Sequence, residues 1–320
     1  MRRWTKAWLI IAAFLILAGS IGVVAVMGKN HWDISALRTA RMVQRTETVE
    51  EEFRNISIRC GADDISFLPS DDGTCRIEFL ERENILHTLN VQGGTLSIGV
   101  RDKRDWFESL GIFTGRQKLT VYMPAGAYAS VSVEGGTGDI TIPADFSFET
   151  INLDVSTGNI QCFASASRLL LVEGATGDIL LENISAGKLD LDLSTGLVEV
   201  RSVKCGGDFF LSLTTGKSLL EDVTCQNLSS SGSTGDITLT NVAVKKLLSV
   251  KRSTGDVTFE GSDAGELAVE TDTGSVTGSL LTSKVFVTQT GTGTVEVPDT
   301  SSGGKCTVTT NTGDIRITVG

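Results

Sequence analysis

The sequence predicts an all-β protein, a parallel β-solenoid of about ten coils of 19–20 residues. It also predicts an N-terminal β cap and one transmembrane helix ahead of that cap. Three observations carry this reading. The first is a recurring dipeptide: Thr137-Gly138, Thr157-Gly158, Thr176-Gly177, Thr195-Gly196, Thr215-Gly216, Thr234-Gly235, Thr254-Gly255, Thr273-Gly274, Thr292-Gly293 and Thr312-Gly313. Successive glycines are 19 or 20 residues apart, and so even a spacing is a structural period. The second is alternation on either side of each turn. Seven and five residues before the glycine stand pairs such as Ile151/Leu153, Leu170/Val172 and Leu189/Leu191; two and four after it stand Ile140/Ile142, Ile179/Leu181 and Val198/Val200. Alternate residues of a strand share a face, so each flank is a short strand with one buried side. The third is the apolar run near the N-terminus.

In chain order, residues 1–6 form a basic flank containing Arg2, Arg3 and Lys6. Residues 7–27 are an apolar run; as a helix, 21 residues span about 31 Å, the thickness of a bilayer core. A cleaved signal peptide is the rival reading, since Leu17-Ala18-Gly19-Ser20 resembles a lipoprotein cleavage site with serine in place of cysteine. The short basic flank favours a cytoplasmic N-terminus and an extracytoplasmic remainder, although Lys29, Arg38, Arg41 and Arg45 follow the run. Residues 28–52 read as a linker or helical stalk. Residues 53–123 alternate without the 19-residue period (Ile56/Ile58, Ile65/Phe67, Ile77/Phe79) and are placed as an irregular β cap. The segment Trp106–Phe113 interrupts them, and is expected to fold back over the end of the core. Residues 124–320 are the repeats.

Within one coil the glycine supplies a positive φ and the threonine stacks on its copies. Asp139, Asp178, Asp236, Asp256 and Asp314 follow the glycine in five coils, and Asn159 in a sixth. Such carboxylates suit bonds to turn amides. A Ca²⁺ ladder is the alternative, but Leu197, Lys217, Ser275 and Thr294 break the column. Several coils add an apolar residue seven past the glycine: Ile184, Val203, Val223, Val242 and Leu281. A single coil buries too little to fold alone, so coils must stack, over about 48 Å at ~4.8 Å per coil.

Catalytic chemistry is not in evidence. His31 and His87, the two histidines, precede the repeats, which leaves no Ser-His or Cys-His pair within the solenoid. No cofactor or metal is expected; zinc is disfavoured because no C-x-x-C spacing occurs. The three charges ahead of residue 28 are all basic, leaving 25 basic and 39 acidic residues, a net −14 beyond it. That balance argues against nucleic acid. Lys245, Lys246, Lys251 and Arg252 form a small basic patch, read as a solvated face. Of six cysteines, Cys205 and Cys225 sit nine residues past their glycines in consecutive coils, within disulfide reach if the coils stack in register. Cys60–Cys75, flanking an expected hairpin, is the second candidate pair. Cys162 and Cys306 read as buried free thiols.

An anchor, an irregular cap and Gly-Asp-Ile coils resemble the bacterial family labelled putative adhesins, a membrane-anchored β-strand-repeat domain of unknown function. The resemblance covers residues ~50–320 and rests on Leu119-Thr120-Val121-Tyr122-Met123-Pro124 leading into Thr137-Gly138-Asp139-Ile140. It implies a bacterial surface protein with an envelope role, and carries no catalytic residues. The expectation is a non-enzymatic, membrane-anchored solenoid presenting a surface to a protein or cell-wall partner. A regulatory ectodomain sensing envelope stress through a membrane partner is the alternative, and a degenerate polysaccharide-acting enzyme comes third. Leu228-Ser229-Ser230-Ser231-Gly232 is expected to be a weak strand. The final coil, Thr312–Gly320, is expected at the open end with Ile315 and Ile317 exposed, tolerably soluble or else self-associating.

Overall fold

The computed structural model describes residues 3–29, 32, 41–102 and 116–320. The expected insertion at 106–113 and most of residues 28–40 of the 28–52 linker, His31 included, lie outside the described residues. The chain divides into two units, which are taken separately.

In the first unit, helix α1 spans Arg3–Lys29. Its Ile11–Lys29 stretch has a mean hydropathy of 2.4 and is not buried by protein, so it is long and apolar enough to cross a membrane. The Ser20 hydroxyl donates to the Ile16 carbonyl at 2.8 Å, so this polar group is satisfied within the helix.

The second unit is the β-solenoid. Its first nine strands are β1 (Met42–Val49), β2 (Asn55–Cys60), β3 (Asp63–Pro69), β4 (Cys75–Arg82), β5 (Ile85–Gln92), β6 (Thr95–Asp102), β7 (Gln117–Met123), β8 (Gly126–Thr137) and β9 (Ile140–Ile142). From β8 onward each coil contributes a long strand before its Thr-Gly turn and a short strand after it. Inter-coil pairing from β8 onward is parallel, and the columns flanking the turns stay in register: Ile151 lies beside Leu170, Leu170 beside Leu189, and Leu189 beside Phe209, with local irregularities near 148–150, 244–247 and 259–262. The alternating aliphatics form continuous interior columns, and Ile140, Ile160, Ile179, Val198 and Ile237 are all buried.

The turn glycine is required twice over. At Gly177 φ is +144°, a region closed to most side chains. A Cβ there would also stand 1.9 Å from the Gly158 carbonyl oxygen of the coil beneath. A second corner lies six residues further on, where Asn183, Ser202, Asp222, Asn241 and Gly261 take φ between +52° and +59°. Asn and Asp tolerate that conformation because their short polar groups bond locally; Asn241 Nδ2 donates to Asp222 Oδ1 at 3.1 Å. This corner is visible in the sequence as a column of Asn, Ser, Asp and Gly that the loop assignment passed over.

The structure corrects several expectations. Met42–Val49 is a strand within the residues assigned to the linker. The irregular cap contains two further coils: β2 pairs with both β6 and β8, and β3 with both β7 and β9. The sheet therefore runs through the expected boundary at 123/124. In space the order is β6/β7, then β2/β3, then β8/β9, so the second coil in sequence is outermost.

The other end repeats this inversion. Strand Val257–Thr273 pairs with Gly304–Thr312, which pairs with Lys284–Thr292. Gly274 N donates to Thr312 O and Gly313 N to Thr292 O, both at 2.9 Å. The 304–319 coil is thus inserted between its predecessors, and Ile315 and Ile317 are buried. The open end belongs to the 284–296 coil. Leu281 is likewise exposed, and Leu280 takes the interior place through an irregularity in the ladder.

Asn227–Thr234, expected to be weak, is a regular strand paired on both sides. Ser230 and Gly232 leave room in the interior, and Arg252 of the next coil fills it. Its guanidinium is buried, donating to Ser230 Oγ at 2.8 Å and to Lys251 O at 3.0 Å. Arg252 therefore leaves the expected solvated basic face; burial lowers its pKa to about 10.

Candidate interaction surface

The aspartate column is structural. Each carboxylate accepts the backbone N–H of the corresponding residue one coil along: Asp139 from Asn159 at 2.7 Å, Asp178 from Leu197 at 2.9 Å, Asp236 from Asp256 at 3.0 Å and Asp256 from Ser275 at 2.7 Å. Asp314 accepts from Thr294 at 2.8 Å, tracing the inverted order independently of the main-chain ladder. That amide, with the Thr294 hydroxyl, holds the Asp314 carboxyl below the usual range. Among the described residues no cluster of His, Cys, Asp and Glu has metal-binding geometry.

All six cysteines are free thiols in the structure. Cys162 and Cys306 are buried in the interior, as expected. Cys205 and Cys225 follow the paired residues Lys204 and Thr224, so they stand side by side in consecutive coils. Burial pushes the Cys225 thiol up to about 12 and raises Cys205 as well, which suppresses the reactive thiolate. Cys60 and Cys75 do not meet. The whole of β3 intervenes: β3 begins beside Gln117 and ends beside Met123, and β4 starts back from that far end. The turn signal at 70–73 joins β3 to β4, one strand later than the hairpin expected between the cysteines.

Two surfaces among the described residues have features suited to recognition. One is a shallow groove of about 700 Å³ along the third side of the coils, lined by Tyr128, Phe148, Ser165, Ser185 and Lys204 among others. Its outward residues stack in register, Ser147 beside Ser165 and Ser185 beside Lys204. Hydroxyls therefore recur at about one strand spacing, ~4.8 Å.

The other surface is the open end. Val295 occupies the same interior column as Ile315, yet it is 43% exposed while Ile315 is fully buried. No coil covers it. Phe286, beside Cys306, and Val297 are the partly buried floor of the core. Among the described residues, strand Lys284–Thr292 has a paired neighbour on one side, Gly304–Thr312. Its Val285 and Val287 are exposed. Its one charged side chain, Lys284, is buried and satisfied by Asp263 at 2.6 Å. The edge therefore lacks the charges that usually blunt a free strand. The sequence does hold a sign of it: the residue seven past Gly293 is Thr300, where five other coils place an aliphatic.

No curated protein matches the chain. Solved structures with a similar course include a putative adhesin from Bacteroides fragilis (14% identity, 87% of this chain and 97% of that one, TM-score 0.44). A putative lipid binding protein from Parabacteroides distasonis is similar at 16% identity over 73% of this chain and 94% of that one, TM-score 0.46. A putative adhesin from Parabacteroides merdae is similar at 14% identity, 87% and 96%, TM-score 0.43. The family model described as Toastrack DUF4097 matches residues 53–216 and 205–320, nearly the whole solenoid, and the chain belongs to that family.

Proposed function

We propose that the protein is a non-enzymatic interaction module of the bacterial envelope, anchored by α1 and displaying its solenoid outside the cytoplasm. The single observation that supports a contact role is the uncovered coil at 284–296, which offers free main-chain groups and an apolar floor. An incoming strand would continue the stack by edge addition, the mode in which main-chain bonds give affinity. A second copy is one such partner, and a foreign strand from the envelope is the other.

The test uses the full chain in detergent or nanodiscs, followed by sedimentation over a wide concentration range. Concentration-dependent dimerisation that disappears in Val287→Lys and Val295→Lys is the expected homotypic result. A monomer at every concentration removes the homotypic version. Protease accessibility in intact cells checks the display: digestion of the solenoid only after lysis overturns the orientation.

A further inference from the structure

The N-terminal cap holds a buried cluster of charge. His87 on β5 lies between two carboxylates, and all three side chains are at most 1% exposed. Its Nδ1 is 2.9 Å from Glu81 Oε2 on β4, and its Nε2 is 3.1 Å from Asp63 Oδ1 on β3. The His87 backbone N–H also donates to Glu81 Oε2, at 2.6 Å. Arg45 on β1 reaches in from the rim, with Nε 2.8 Å from Glu81 Oε1 and a terminal nitrogen donating to the His87 carbonyl at 2.8 Å. On its outer side Arg45 pairs with Glu47. Gln117 on β7 donates to Asp63 Oδ1 at 3.3 Å, and the Cys60 thiol at the end of β2 also faces Asp63. Phe79 closes the remaining side, its ring stacked on His87 at 5.2 Å with the Arg45 guanidinium 4.3 Å over it.

The charges decide what the cluster does. Two buried carboxylates face one guanidinium and one imidazole, so the centre is neutral only when His87 is protonated. Loss of that proton leaves an uncompensated buried negative charge; among the described residues Asp63 Oδ2 has no hydrogen-bond partner, and His87 Nε2 meets Asp63 Oδ1 as an ion pair rather than through an aligned hydrogen bond. Burying an unpaired charge is among the most costly arrangements a fold can hold. The same residues tie β1, β3, β4, β5 and β7 together at one point.

We propose that Asp63, Glu81, His87 and Arg45 form a proton-operated lock on the N-terminal cap. It is closed while His87 is an imidazolium and loosened when that proton leaves. Opening would lift β4 and β5 from the outermost coil and free a second strand edge, at the end opposite 284–296.

The titration directions agree. Burial by itself lowers the His87 pKa, but Asp63 and Glu81 outweigh it and hold it above its ordinary 6.5. Burial raises Glu81, but bonds from Arg45 and His87 outweigh that and hold it below its ordinary 4.5. A raised histidine stabilises fully below 6.5, and its contribution is lost as pH rises through the folded-state value. A lowered glutamate contributes above 4.5 and loses its contribution as pH falls through its own folded-state value. The cap is thus tightest between the two, on the acid side of neutrality.

The experiment uses the full chain with His31→Asn, so that the second of two histidines is the one imidazole signal in NMR. The lock requires a His87 titration midpoint above 6.5. Amide protection in β4 and β5 should fall by up to about tenfold per pH unit between 6.5 and that midpoint, and level off above it, while the central coils hold. His87→Gln should abolish the pH dependence of that protection. A midpoint at or below 6.5, or equal loss of protection in cap and central coils, overturns the proposal. Should His87→Gln fail to fold, the NMR midpoint on the His31→Asn chain decides alone.

Discussion

The two ends of the solenoid are built on one plan and finished differently. At each end the coil nearest the chain's limit is tucked one place inward, and a neighbour in sequence becomes outermost. At the N-terminal end that outermost coil, β6/β7, is then covered. β4 runs antiparallel along β7, Ile77 beside Val121 and Phe79 beside Leu119. Thr88 of β5 stands against Gly99 of β6, its hydroxyl 3.2 Å from where a Cβ would project. At the C-terminal end the outermost coil, 284–296, meets no such cover among the described residues. Period alone does not protect a solenoid. Protection comes from the strands that break the period, as capping segments do.

The largest test of this contrast is deletion of 304–320. In a solenoid stacked in sequence order, the loss would remove a terminal coil and leave the rest. Here it removes the sole paired neighbour of strand Lys284–Thr292 among the described residues. We expect 284–296 to lose all protection from hydrogen exchange, with the coils before residue 257 unchanged. Survival of protection at 284–296 would break the inverted order.

Next in size are glycine substitutions at the inserted coil. Gly313 has φ +150°, and a Cβ there meets the Gly274 carbonyl oxygen at 2.1 Å. Gly313→Ala should cost about 3–5 kcal/mol, combining backbone strain with the clash. Gly73→Ala has φ +72° but open space around it, and should cost only about 1 kcal/mol. Chemical denaturation of the two variants makes the comparison.

Aromatic truncation weighs the ends directly. Phe79 is fully buried beneath the cap, and Phe79→Ala should cost about 3–5 kcal/mol. Phe286 floors the open end and is only partly buried, so Phe286→Ala should cost about 1–2 kcal/mol. Equal losses would mean that the open end is covered in solution. By the same logic Ile317→Lys should unfold the end of the solenoid, because Ile317 is 2% exposed, whereas Val287→Lys leaves stability nearly unchanged.

The smallest effect expected lies between the two ends. Arg252→Val should leave a void over Ser230 and Gly232, and adding Ser230→Val should recover part of the loss. A double-mutant cycle with coupling of about 1 kcal/mol or more would establish the compensation.

Much of this architecture is legible in the residues. The Thr-Gly period, the alternating flanks and the buried Cys162 and Cys306 follow directly from spacing. The order of the end coils does not, because repeats that share one register are interchangeable partners: Thr273 can stack on Thr292 or on Thr312 equally well. The 284–296 coil differs on its third side, where Pro298 to Gly304 offers no aliphatic to bury. The His87 cluster is hidden for a different reason. Its members come from five strands that have no common period, and only their fold brings them together. Cys60 and Cys75 misled because the turn signal between them was real but joined different strands.

The tucked coils also change how the molecule wears at its tips. A linear stack frays from its last residues inward, one rung at a time. Here residues 304–319 are bonded above and below, while 284–296 is bonded on one side among the described residues. The gradient of opening therefore runs against the direction of the chain. The tip most open to handling by other molecules is the 284–296 coil, which precedes the clamped 304–319 coil in sequence.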